Sequence, residues 1–183
     1  IHVEGSHDTI LRILSRLVQE GKILRIQNGI YYKPEFNRFL KGRPVPPDVN
    51  EVIKVISNRN KETLQIHGSA AVNKLGLSTQ VPLTKVFYTN GPSREVIIAG
   101  TRVKFIHTEN QNILQASGTE VGMALSALIF LGREHVDQEV VRQVKSRLSE
   151  NHFKRLKRMQ MSSWLKERLS DPAVKESSYA LAG

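Results

Sequence analysis

Cysteine is absent from the 183 residues, which excludes disulfides, thiolate zinc sites and thiol nucleophiles and is compatible with a reducing cytoplasm. No apolar run approaches the roughly 20 residues that a membrane-spanning helix needs, and no secretory signal is present. The expectation is a soluble, cytoplasmic protein without a membrane partner. Asp8, Asp48, Asp137 and Asp171 are the only aspartates. No Gly-Lys-Ser/Thr phosphate loop, Gly-x-Ser-x-Gly elbow or Glu-flanked zincin pattern occurs. His2, His7, His67, His107, His135 and His152 never pair at the helical spacings that hold a metal. No metal and no cofactor are expected. The chain opens on Ile1 and not on Met, so further residues are expected upstream.

The prominent feature is charge. The formal net charge is +10, and a strongly cationic surface attracts a polyanion through counterion release. The excess lies at the two ends. Residues 1–44 carry eight Lys/Arg against four acids, residues 45–144 carry ten against nine, and residues 145–168 carry eight against two.

From Asp8 to Glu20 the apolar residues Ile10, Ile13, Leu14, Leu17 and Val18 recur at three and four, the stripe of an amphipathic helix with its core side there. Asp8 or Ser6 can cap its start and Gly21 can end it. Two β-favouring runs follow, residues 22–27 and 30–33, around Asn28-Gly29, the dipeptide best suited to a type I′ hairpin turn. A helix followed at once by a hairpin is the pattern of a recognition helix and its wing. On the face opposite the stripe lie Thr9, Arg12, Arg16 and Gln19; His7 and Thr9 sit at the helix start. In a winged helix that face enters the major groove, where arginine bonds guanine O6 and N7. Arg25, Asn28 and Lys33, with Gln27, ride on the wing, and Tyr31 and Tyr32 supply one core-facing and one exposed aromatic. The alternative is a solvated helix face that merely carries two arginines.

Lys41 to Asp48 holds three prolines and reads as a stiff connector. The expected organisation is a winged helix-turn-helix over residues 1–41, a linker over 42–48, an α+β protein-interaction module over 49–169 and a tail over 170–183. Within the module the expectation is a helix after Asp48 with Val49, Val52, Ile53 and Ile56 buried, a strand at Leu64–Ile66 and a short helix at Ser69–Leu75. Strands at Lys85–Thr89, Glu95–Ala99 and Arg102–His107 follow. Helices are expected over Thr119–Leu131, Asp137–Leu148 and Asn151–Leu169. The fold class is α+β, with a partial winged helix in front and a helical region at the end.

Residues 14–34, with Leu14-Ser-Arg-Leu17 at the helix end, Arg25 in the first wing strand and Gly29-Ile-Tyr31 in the second, resemble the winged helix of AbiEi-family antitoxins, the antitoxin half of type IV toxin–antitoxin modules. A second block, Gly68 to Pro82 followed by Val86-Phe-Tyr-Thr-Asn-Gly-Pro-Ser-Arg94, is similar to that family's middle module, and Trp164 is a weaker match. The resemblance runs from about Gly5 to Leu169. It implies a repressor that binds double-stranded DNA at its own promoter, and a second domain that counteracts a nucleotidyltransferase-like toxin, with or without a stable complex. Helices normally precede the recognition helix in that family, whereas only residues 1–7 do here, so the reader is expected to be incomplete.

Gly68-Ser69 after a short strand also occurs at nucleotidyltransferase active sites, but their chemistry needs paired carboxylates to hold metal ions, and residues 86–90 contain none. A strand-to-helix turn with a serine cap accounts for the pair, and the protein is not expected to be an enzyme. The basic segment Lys145, Arg147, Lys154, Arg155, Lys157 and Arg158 is either the solvated side of helices whose cores are Val140, Val144, Leu148, Phe153, Leu156 and Trp164, or a second electrostatic surface with Trp164 as an interface anchor. Two alternatives to the repressor remain at this point: a protein-interaction module without DNA regulation, and an RNA-binding protein.

Overall fold

The first helix owes its ends to its sequence. In the computed structural model, which describes residues 6–171, α1 spans His7–Gln19. Ser6, and not Asp8, is the cap, its hydroxyl accepting from the Thr9 amide. At the other end Gly21 takes φ 67°, and its N–H donates to the Val18 carbonyl while that of Lys22 donates to Leu17, the paired bonds of a Schellman stop. The expected stripe is the sheltered side of the helix, but it is shallow. No residue of α1 is buried; Ile10, Ile13, Leu14, Leu17 and Val18 are all half-buried.

β1 (Leu24–Gln27) and β2 (Ile30–Tyr32) pair antiparallel, with a bulge between Arg25 and Gln27. A type I′ turn needs positive φ at both central residues; Gly29 has φ 72° and Asn28 stays negative, so that expectation fails. The turn with two left-handed residues lies elsewhere, at Ala99 (φ 48°) and Gly100 (φ 80°). Tyr31 and Tyr32 are both half-buried, not one in and one out, because Ile23 and Ile30 supply the buried side chains of this region. A 3-10 turn at Arg38–Leu40 leads to α2 (Val49–Asn60), whose buried residues are Val52, Ile53, Ile56 and Ser57; Val49, at its first turn, is half-buried.

The chain divides into two compact units, Ile1–Arg59 with Ile97–Thr101, and Asn60–Val96 with Arg102–Gly183. A mixed four-stranded sheet, which belongs to the second unit except for Ile97–Thr101, is built from β3 (Leu64–Ile66), β4 (Lys85–Thr89), β5 (Arg94–Ile98) and β6 (Thr101–His107) in the order β3-β4-β6-β5. β3 runs antiparallel to β4, and β4 runs parallel to β6 with Phe87 opposite Phe105. α3 (Gly68–Lys74) follows β3 directly.

The core helix α4 (Glu120–Leu131) is almost wholly apolar and buries most of its length from Val121 to Leu128, while Phe130 near its end is exposed. Thr119 caps it, and Gly122 is required because a Cβ there would lie 2.3 Å from the Ala116 carbonyl oxygen. α5 (Gln138–Arg147) packs Val144 into the core as expected, with Leu148 just after it, adds Val141, and leaves Val140 half-buried against the same cluster. The single helix expected over 151–169 is two, α6 (Glu150–Arg158) and α7 (Ser163–Ser170). The break is stabilised from outside: the Gln115 side-chain amide donates to the Gln160 carbonyl at 2.8 Å and accepts from its N–H at 3.0 Å. Met159 meanwhile stays buried, and Trp164 is partly buried against the core. The result is an α+β fold with a helix–strand region in front, a mixed sheet, and helices at the end. The part of the expected tail over residues 172–183 lies outside the described residues.

Candidate nucleic-acid interface

α1 presents His7, Thr9, Arg12 and Arg16 to solvent, all four exposed. The Ser6 cap also bonds the Thr9 hydroxyl at 2.9 Å, which fixes that side chain at the helix start. Arg16 is 3.8 Å from Glu20, and Lys22 is 2.8 Å from the same carboxylate. The hydrogen bond from Lys22, then its charge, hold Glu20 below the usual carboxylate range, with Arg16 contributing less. Arg12 has no ion pair among the described residues, so its guanidinium is available to an incoming acceptor.

The hairpin residues divide. Arg25 donates to the Asn28 side-chain oxygen, and the Asn28 carbonyl accepts from Arg59 Nη1 at 2.5 Å. Asn28 is therefore engaged in building the turn. A Cβ on Gly29 would sit 2.9 Å from Arg59 Nη1, so the guanidinium lies directly over the turn. Arg59, at the end of α2, is the residue that sequence reasoning missed; being 31 positions away, it leaves no local signal. Lys33 is exposed and has no acidic partner among the described residues.

The six residues of the other basic segment fall on α5 and α6 in the second unit. Lys154 pairs with Glu150 at 2.6 Å, and that hydrogen bond, followed by the charges of Lys154 and Lys145, lowers the Glu150 pKa. Arg147 lies against Gly76, where a Cβ would be 3.0 Å from its Nη2. Arg155 and Arg158 are exposed and Lys157 is half-buried. This group is thus partly committed to local contacts.

The second motif block has a structural role. Asn90 accepts from the Thr63 amide at 2.8 Å, Ser93 accepts from the His107 amide at 2.8 Å, and Gly91 makes room for Glu62, whose Oε1 would be 2.4 Å from a Cβ there. Arg94 grips the Glu62 carboxylate through both terminal nitrogens at 2.9 and 2.6 Å, with its own carbon 4.3 Å above the Phe105 ring. Gly68 is likewise a packing residue: its absent Cβ would come 2.0 Å from Phe130 Cβ and 2.8 Å from the Ser126 carbonyl oxygen. His67, not Ser69, caps α3, its Nδ1 accepting from the Ser69 amide. Its ring lies 4.7 Å from Tyr88 and 5.4 Å from Phe130, and burial lowers its pKa and raises that of Tyr88. Among the described residues no group of His, Asp and Glu has a metal-holding arrangement, and no helix is long and apolar enough to cross a membrane.

A helix and hairpin carrying exposed cations, followed by a mixed sheet under a helical core, define the class as an α+β protein. The chain belongs to a family of unknown function (DUF6088), which matches it over residues 2–156. Comparisons with curated proteins and with solved structures return no match.

Proposed function

We propose that the protein is a DNA-binding transcriptional regulator of the winged-helix kind, repressing its own promoter, with the α+β module acting as the antitoxin part of a type IV toxin–antitoxin pair and no catalytic role. The observation that carries the DNA reading is α1 itself: a capped helix, stopped by a Schellman turn and followed at once by a hairpin. Its outer face holds Thr9, Arg12 and Arg16 exposed. In this reading Arg12 and Arg16 reach base edges in the major groove, His7 and Thr9 meet phosphate or base at the helix start, and Arg25 and Lys33 touch the backbone from the wing. The antitoxin part rests on the likeness of Gly68–Arg94 to the AbiEi middle module. Its functional partner is a nucleotidyltransferase-like toxin, opposed with or without direct contact.

The test is Arg12→Ala and Arg16→Ala, singly and together, titrated against DNA from just upstream of the gene at one fixed salt concentration. A bidentate base contact contributes about 1–3 kcal/mol of discrimination, so each substitution weakens operator binding by roughly 5- to 150-fold and narrows the gap to scrambled DNA. Unchanged operator affinity for the double variant contradicts the recognition-helix assignment.

A further inference from the structure

The segment between the hairpin and α2 closes on itself. Phe36 and Pro44 form an isolated antiparallel bridge, and the Val45 N–H donates to the Glu35 carbonyl at 2.7 Å. Residues 35–45 are therefore pinned at their base. The interior is ordered too. Asn37 accepts from the Phe39 amide at 3.0 Å, the Leu40 N–H donates to the Asn37 carbonyl at 3.0 Å, and that of Arg43 donates to Leu40 at 2.9 Å. A loop held by its own hydrogen bonds and closed at its ends presents a fixed surface.

That surface is unusual for a loop. Phe36 is 64% exposed, Phe39 77% and Leu40 38%, so these side chains contribute little to a core. Arg38 stands between them and Lys41 and Arg43 follow, all exposed, with Lys33 just before the loop. None of the four has an acidic partner among the described residues, and Glu35 is the only acid from 33 to 45. The Arg38 guanidinium lies 5.0 Å from the Phe39 ring centre.

We infer that loop 35–45 is a second contact to double-stranded DNA, with Arg38, Lys41 and Arg43 on phosphates and the Phe39 ring against the backbone sugars. A duplex backbone that alternates charged phosphates with less polar sugars matches cations interleaved with aromatics. A lipid surface fits less well, because burying Phe39 among acyl chains carries the stacked Arg38 cation with it, at a desolvation cost. The inference rests on the DNA-binding reading of α1 and adds to it a contact that strengthens binding without reading sequence.

The experiment is a salt titration of the full chain on upstream DNA and on a scramble of equal length. It compares wild type, Arg38→Gln/Lys41→Gln/Arg43→Gln, Arg43→Gln alone, and Phe39→Ala, each with its thermal midpoint recorded. The triple variant is expected to lower the slope of log affinity against log salt by about 2 to 3 on both DNAs, and Arg43→Gln by about 1. Phe39→Ala is expected to lower affinity on both DNAs equally, with the salt slope and the ratio between the two DNAs kept. Wild-type slope and affinity in the folded loop variants overturn the inference while leaving α1 standing. If the wild type binds neither DNA, both readings fall. If the loop variants lose binding to phosphatidylserine vesicles and keep their DNA affinity, the loop is a lipid contact and the inference is overturned.

Discussion

Replacing Glu62 with Gln isolates one buried charge pair, because it removes the negative charge and keeps the side-chain volume. The Glu62 side chain is 6% exposed and that of Arg94 is 23% exposed. The carboxylate accepts both terminal nitrogens, at 2.9 and 2.6 Å. In the variant the guanidinium stays above Phe105 without its counter-charge, and losing one partner of a buried pair costs about 3–5 kcal/mol. An exposed pair costs at most about 1 kcal/mol, so the two cases are well separated. For a domain of roughly 100 residues, 1 kcal/mol moves the thermal midpoint by about 4 °C or more, which gives an expected drop of roughly 12–20 °C by calorimetry. Urea denaturation should show the same loss in free energy with the slope unchanged. Glu62→Met/Arg94→Met, which removes both charges, is expected to recover much of it. A loss under about 1 kcal/mol in the single variant, or a double variant no better than the single, refutes the reading of Glu62–Arg94 as a buried pair whose breaking leaves an uncompensated charge.

Two further predictions concern the same unit. His67 has a pKa lowered by burial, so the unfolded chain binds the proton more readily. The stability this contributes is complete above the unfolded value near 6.5 and is lost as pH falls below it through the folded value. His67→Asn keeps an acceptor for the Ser69 amide and should flatten the fall in urea midpoint between pH 8 and pH 5; an unchanged pH profile contradicts this. Gly68→Ala must push α3 away from Phe130 and the Ser126 carbonyl, an overpacking expected to cost about 3 kcal/mol. A midpoint within 1 °C of wild type would show that the contact is not tight.

The elements legible in the sequence were those whose cause is local. The Gly21 stop, the strand at Lys85–Thr89 and the apolar run of α4 each follow from a few adjacent residues. What was not legible depends on residues far apart. The break between α6 and α7 depends on Gln115, 45 positions from Gln160, and the wing turn is held by Arg59 from α2. The periodicity of α1 announced a helix but not how deeply it sits: its stripe is half-buried along its whole length. Residues 41–48 read as a connector from their prolines, yet Pro44 closes a loop with Phe36, because one bridge and one backbone bond need no side-chain pattern. Gly68-Ser69 and Asn90–Arg94 stood out as motifs, and the contacts found for them are packing against Phe130 and bonds to Glu62, Thr63 and His107, residues distant in sequence. Of the expected DNA contacts, the exposure of the α1 face was readable from spacing, whereas the engagement of Asn28 with Arg25 and Arg59 was not.

The central claim is that the first unit reads DNA sequence, and an anisotropy titration of the full chain against the DNA just upstream of its gene tests it most directly. The competitor is scrambled DNA of equal length and charge, at one fixed salt concentration near physiological. The account predicts tight binding that the scramble cannot displace, with a specificity ratio of at least about 10³. Equal binding to both DNAs would reduce the +10 charge to a nonspecific attraction and contradict the account.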